Sequence, residues 1–243
     1  MLRPIHLVLP AVATALLGVA SAASAGEAGG GGSVAVTTDY VFRGLSQTSG
    51  GPALQADAHY QTQGGLYAGA WTSTINPQEK DIGYLELNLY AGWAWDPSPD
   101  WSTRLGYVRY LYPDSREGTS YDYGELSATL GWRDRIFGTV GWSPDMVRAT
   151  YYGVDHRGRA LSYEVSLRQP LWRVFGAAVG VGYYDLEDVL GTSYWAWNAT
   201  LTANFDRVEF DLAYFASDDT ARDLFGRESA ADRWALTALW RFK

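Results

Sequence analysis

Apolar residues recur at every second position over most of this chain. From Asp232 to Phe242 the pattern is cleanest: Trp234, Leu236, Ala238, Trp240 and Phe242 alternate with Arg233, Ala235, Thr237, Leu239 and Arg241. A period of two puts one set of side chains on each face of a β-strand. The same alternation predicts strands at 34–42, 54–61, 66–74, 82–95, 101–112, 121–132, 136–152, 161–168, 175–183, 195–205 and 208–214, which makes twelve with the last. The stretch 136–152 contains Pro144 and is kept whole; ten or fourteen strands are the alternatives. The pattern at 101–112 is the least regular, because Arg104 and Arg109 cannot share a face. Helical periodicity is confined to a turn or two near Thr220–Ala230.

The connections sort by length. Those near residues 63, 98, 133, 170 and 206 are short, whereas those after every odd-numbered strand are long or irregular. Short turns at one mouth, long loops at the other and an even strand number are the layout of a transmembrane antiparallel up-and-down β-barrel. A soluble β-sandwich is the alternative, but nothing in a sandwich sorts its loops this way. The expected fold is therefore all-β, a barrel of about 12 strands over residues 34–243.

The N-terminus adds the compartment. A basic Met1-Leu2-Arg3, an apolar run from His6 to Ala20 and the small residues Ala23-Ser24-Ala25 read as a signal peptide of residues 1–25, cut after Ala25. Residues 26–33, mostly glycine, read as a flexible lead-in. The exported chain has no cysteine, so a large core or a closed sheet has to hold it. No later apolar run approaches the ~20 residues of a membrane helix, and only a helix or a closed barrel satisfies its own backbone in lipid. The 11 Trp and 17 Tyr suit the aromatic girdles of such a barrel. Removing the leader takes away Arg3 and leaves 18 basic against 27 acidic side chains, which argues against nucleic acid as a partner.

Three segments carry a resemblance. Asp39-Tyr-Val-Phe-Arg-Gly-Leu-Ser-Gln-Thr48, Pro52-Ala-Leu-Gln-Ala56 and Gly65-Leu-Tyr-Ala-Gly-Ala-Trp71 resemble the N-terminal signature of the Gcw_chp family of secreted bacterial proteins, also known as the TorF type. Glu86-Leu-Asn-Leu-Tyr-Ala-Gly92 is similar to it as well. The resemblance implies an outer-membrane β-barrel of porin kind and brings no catalytic or binding residues with it.

Candidate chemistry is sparse. His59 shares a presumed inner face with Asp57, but no serine is pinned near it by sequence, so a pore-lining histidine is the plainer reading and no enzyme is expected. His156 falls in a loop tip. Asp185, Glu187, Asp188 and Asp218-Asp219 could hold calcium loosely, although solvated acidic loops look the same; no cofactor or metal is expected. Gly176, Gly180 and Gly182 fit no phosphate loop and suit close approach of a neighbour.

Transport is better supported. Charged side chains are costly against lipid, so those opposite the apolar stripe must point inward. The candidate lumen-lining residues are Arg43, Asp57, His59, Glu86, Arg104 and Glu125 in the first half of the chain, and Glu164, Arg168, Glu209, Asp211 and Arg241 in the second. Asp39 and Arg233 share that face. Eight strands are filled by their own side chains and sixteen leave a channel, so twelve permit either a plugged lumen or a narrow pore. Arg43-Gly44 ends the first predicted strand near the outer rim, either as an arginine paired inside or as a constriction. The expectation is a narrow diffusion channel for small polar or cationic solutes, surrounded by outer-membrane lipid. Its terminal strand would be read by the barrel-insertion machinery. The alternative is a non-conducting barrel whose outer loops bind a partner.

Overall fold

The computed structural model of the protein describes residues 28–76, 82–115, 120–151 and 154–242, and leaves the side chains of 148–156 undescribed. The leader, the cleavage point after Ala25, most of the loop expected at 76–80 and the side chain of His156 lie outside the described residues. Twelve antiparallel strands close into a barrel. They are β1 (Gly29–Thr37), β4 (Ala53–Gln61), β5 (Leu66–Thr74), β6 (Leu85–Ser98), β7 (Trp101–Leu111), β8 (Tyr123–Trp132), β9 (Ile136–Tyr151), β10 (Val154–Trp172), β11 (Phe175–Leu186), β12 (Thr192–Phe205), β13 (Val208–Ser217) and β14 (Arg233–Phe242). Two short strands, β2 (Val41–Phe42) and β3 (Leu45–Ser46), form a separate hairpin. Helices α1 (Glu187–Leu190) and α2 (Asp219–Phe225) lie in the connections β11–β12 and β13–β14. The first strand closes on the last, in register from Gly32↔Phe242 to Thr37↔Thr237.

The alternation in sequence becomes an inside and an outside. Val34, Val36, Leu89, Leu105, Leu130, Val165, Val179, Leu201 and Leu236 stand exposed on the outer face. An apolar surface of this extent, wrapped round a closed barrel, is at home in lipid. Aromatic rings border it. Trp93, Trp101, Trp132, Trp172, Phe175, Phe205 and Trp240 lie near the mouth that carries the short turns, and Tyr107, Trp142, Tyr163, Trp195 and Trp234 lie toward the other. By the usual layout the first mouth is periplasmic and the second faces outward. Arg109 turns out of the barrel near the outer end of β7, where it bonds Asp145 at 2.8 Å, while Arg104 points in. That removes the irregularity in the 101–112 pattern.

Several expectations need correction. The glycine run is not a free lead-in: Gly29–Ser33 are paired residues of β1, bonded to β4 on one side and, from Gly32, to β14 on the other. At Gly31 and Gly32 glycine is needed because the neighbours crowd in. A Cβ on Gly31 would lie 2.9 Å from His59 Nε2, and one on Gly32 would lie 2.6 Å from the Asp57 carbonyl oxygen. The chain does not turn at Gln169-Pro170; β10 runs on to Trp172 and turns at Arg173, whose φ is 50°. Nor does the first barrel strand reach Phe42. It stops at Thr37, and the chain then folds into the interior.

β9 stays a single strand through Pro144, and its pairing with β10 absorbs two register shifts, at His156/Arg157 and Gly158/Ala160. His156 thus belongs to β10, opposite Ala149, and not to the loop tip.

The outward face makes a direct prediction. Val179 sits on β11 between Phe175 and Tyr183 and is exposed. Val179→Arg should cost about 2–4 kcal/mol in urea unfolding from lipid vesicles, because the guanidinium is forced into hydrocarbon. A loss within about 0.5 kcal/mol, as at a water-exposed site, would contradict the lipid-facing assignment.

Candidate functional site

The connection from β1 to β4 enters the barrel. Its hairpin turns at Arg43 (φ 49°) and Gly44 (φ 78°), with Phe42 paired to Leu45 and Val41 to Ser46. Two left-handed residues at the centre of a two-residue turn make the type I′ geometry that matches strand twist. Gly44 is required twice over: its φ is unfavourable for other residues, and a Cβ there would come within 2.6 Å of the Ala196 Cβ. Phe42 and Leu45 are buried, so the hairpin occupies the lumen instead of standing in water.

Its base is tied down by charge. Asp39 accepts hydrogen bonds from Ser46 Oγ (2.6 Å) and Thr48 Oγ1 (2.9 Å) and an ion pair from Arg233 (2.6 Å). Arg233 also donates to the carbonyls of Glu228, Ser229 and Ala231, and the Ser46 amide donates to Ser229 O at 2.8 Å. The segment after α2 therefore caps the hairpin from outside.

Its tip crosses the lumen. Arg43 Nη2 donates to both carboxylate oxygens of Glu125 on β8, at 2.9 and 3.0 Å, and to Ser162 Oγ on β10 at 3.2 Å. Its Nε reaches Glu164 Oε1 at 3.4 Å. Tyr194 OH donates to the Arg43 carbonyl at 3.1 Å, and the guanidinium lies over the rings of Phe42 and Tyr184. β8 and β10 flank β9, which stands opposite β1 in the ring of twelve, so the arm spans the full bore. On the near side Tyr40 packs against Trp71, with ring centroids 5.4 Å apart, and its hydroxyl is 3.5 Å from Glu86 Oε2.

The hairpin divides the interior. Above it the inner wall is shut off from water: Tyr110, Tyr123, Tyr194, Glu86 and Ser143 are each 1% exposed or less. Below it, on the wall from β7 to β13, inward residues such as Arg104, Thr129, Thr139, Arg168, Asn198 and Thr202 are partly exposed. The lower half on that side thus has a polar, partly water-accessible wall, a vestibule below the hairpin. The side formed by β4–β6 is filled instead. There Asp57 bonds His59 Nδ1 at 2.6 Å and accepts the Tyr90 hydroxyl.

The candidate residues fall into groups. Arg43, Glu125 and Glu164 meet at the hairpin tip, well inside the barrel and not at the rim. Asp57 and His59 join Tyr90. Glu86 lies under Tyr40 and bonds Asn88 at 2.7 Å. Glu209 and Arg241 pair at 2.9 Å, and Asp211 accepts from Thr202 at 2.6 Å. Arg104 and Arg168 stand apart, each over an aromatic ring. Sequence reasoning missed the inward hairpin and Ser162, Tyr184 and Tyr194 around its tip. The available signal was Phe42-Arg-Gly-Leu45 itself, a two-residue turn between extended pairs. Of the three inner glycines, Gly182 makes room for Tyr184, whose hydroxyl would clash with a Cβ, and Gly180 abuts Asn198; Gly176 faces nothing nearer than 3.7 Å. The acidic loop residues serve local ends, with Asp218 capping α2 and Asp188 pairing Arg159. Among the described residues no group of three or more His, Asp or Glu side chains could hold a metal ion.

A closed twelve-stranded barrel with an apolar belt and a polar bore defines the class: an outer-membrane porin fold. The structure of the porin NanC matches with a TM-score of 0.60 at 12% identity, covering 87% of this chain and 99% of that one. The KdgM porin matches with 0.54 at 9% identity (88% and 99% covered), and KdgM in complex with disordered oligogalacturonate with 0.53 at 8% (88% and 100%). No curated protein matches. The chain belongs to the family described as "Bacterial protein of unknown function (Gcw_chp)", whose pattern matches residues 20–239.

The tip geometry is testable by protease. The Arg43 side chain is 8% exposed, so trypsin should spare it in the folded barrel. In Gly44→Val the hairpin cannot seat, and cleavage after Arg43 should accelerate strongly while the barrel stays folded. Unchanged protection would show that the hairpin does not need its glycine.

Proposed function

We propose that this protein is a passive diffusion channel of the bacterial outer membrane for small polar solutes, with its path set by the β2–β3 hairpin. The vestibule carries the reading. A barrel whose only task is to be filled has no need for a partly exposed polar wall below its plug. The hairpin is held at its tip by one arginine, which makes the obstruction a discrete and removable element. β14, with its outward Trp234, Leu236, Ala238, Trp240 and Phe242, suits recognition by the insertion machinery after export and removal of residues 1–25. No catalytic role is assigned: the described hydrogen bond of the His59 ring goes to Asp57, not to a serine.

A second reading, a non-conducting barrel, is favoured by the burial of the inner wall above the hairpin. Planar-bilayer recording separates the two. Removing Arg43 leaves Glu125 and Glu164 without their cation, at about 3–5 kcal/mol for a buried pair broken on one side. Arg43→Ala, and a variant with a short glycine linker in place of Val41–Ser46, should raise single-channel conductance several-fold over the unaltered protein. Silence from all three would exclude the channel and leave the structural barrel.

A further inference from the structure

The vestibule wall contains two cations that the fold leaves without anions. Arg104 on β7 and Arg168 on β10 both point inward, and among the described residues neither has an ion-pair partner. Arg104 Nε is buried and has no hydrogen-bond acceptor. Arg104 stands beside Thr129 in the β7–β8 register, Thr129 beside Thr139 on β9, and Phe137, the next inward residue of β9, lies under the Arg168 guanidinium, so the two cations line one stretch of wall. Asp96 acts on Arg104, and Glu209 and Asp134 on Arg168, but from beyond ion-pair distance.

The carboxylates elsewhere in the bore are in a different position. Glu125 and Glu164 hold Arg43, Glu209 holds Arg241, Asp211 takes the Thr202 hydroxyl, and Asp57 takes His59 and Tyr90. Acid groups in the lumen are occupied, whereas two bases are not. On β8 and β9 the Thr129 and Thr139 hydroxyls are 2.9 Å apart and partly exposed, with Arg104 beside Thr129 and Glu164 beside Thr139 in the strand register. Phe137 lies under the Arg168 guanidinium at 4.7 Å and Tyr67 beside that of Arg104 at 5.8 Å, leaving the in-plane N–H groups of each free to donate.

A pair of like charges with an orphaned buried donor is a standing electrostatic cost, which an oxyanion between them would relieve. A guanidinium is also the side chain that best matches the two oxygens of a carboxylate or phosphate.

We propose that Arg104 and Arg168 form a binding site for the oxyanion of a small solute in the vestibule, with the one hydroxyl hydrogen left free by the Thr129–Thr139 bond as a further donor. This reverses the cation preference suggested by overall charge, because the acidic excess is spent in the loops and in internal pairs. The site deepens the channel reading and rests on it for its use in transport, but not for binding itself.

The test therefore begins with binding. Purified barrel in zwitterionic detergent is titrated calorimetrically with succinate and, separately, with inorganic phosphate. Saturable binding of either is expected. Arg104→Gln and Arg168→Gln should each weaken it on the order of tenfold, and the lysine variants less, because they keep the charge and lose the fork. Succinate alone would mark a carboxylate solute, phosphate alone a phosphorylated one, and both a general oxyanion site. No saturable binding of either, or equal binding by the glutamine variants, overturns the proposal whatever the channel recordings show. Conversely, binding without conductance would sink the channel reading and leave the site. In any conducting form, reversal potentials in a KCl gradient should move toward cation preference when both arginines become glutamine.

Discussion

Inside lipid a backbone N–H or C=O has no water to turn to, and each one left unpaired costs several kcal/mol, on the order of a full desolvation penalty. That constraint governs this molecule. It forbids a free edge, so β1 has to meet β14, and it does so through a register of six residue pairs from Gly32↔Phe242 to Thr37↔Thr237. Closure then forces a glycine-rich segment into the sheet. A Cβ on Gly31 or Gly32 would strike His59, the Asp57 carbonyl or the Phe242 ring. The run that looks like a loose tether is part of the sheet, and at Gly31 and Gly32 a larger residue would collide with its neighbours.

Once the outside is committed to acyl chains, every charged side chain at that depth has to go in, and a bore of twelve strands is too narrow for unpaired charges to stay far apart. Glu209 and Arg241 pair across neighbouring strands, Asp57 takes His59 from its own strand and Tyr90 from β6, and Glu86 takes Asn88 from its own strand. Arg43 is resolved differently. It arrives from the loop, crosses the bore and finds two carboxylates on the far wall. A buried arginine with two acids, a serine hydroxyl and two aromatic rings around it is well compensated. The same compensation makes the far-wall acids dependent on the hairpin, because neither Glu125 nor Glu164 has another cation beside it among the described ion pairs. Plug and wall are thus one electrostatic unit, and its stability and the state of the bore are linked.

Much of this was legible along the chain. The strands, their even number, the sorting of short and long connections and the apolar face all come from a period of two and from turn chemistry, which act over a few residues. The errors fall where local signals conflict with long-range pairing. Val41 and Phe42 continue the alternation of β1, yet they belong to a hairpin, because Arg43-Gly44 supplies a turn and Arg43 has partners 82 and 121 residues away. Pro170 reads as a turn, but β10 needs two more residues before Arg173 takes the left-handed φ. Arg109 disturbs the pattern of β7 only until Asp145, on β9, is seen beside it.

Residue order was enough to establish that this chain is a barrel and which side of each strand meets lipid, since both rest on alternation and on the absence of any longer apolar run. It also marked the charged residues opposite the apolar stripe as candidates for the interior. Which of them meet was settled in three dimensions alone. Pairing across a bore depends on strand order, shear and the path of one loop, and none of these leaves a mark at short range. Arg43 found its acids on the opposite wall, whereas Arg104 and Arg168 form no ion pair among the described residues.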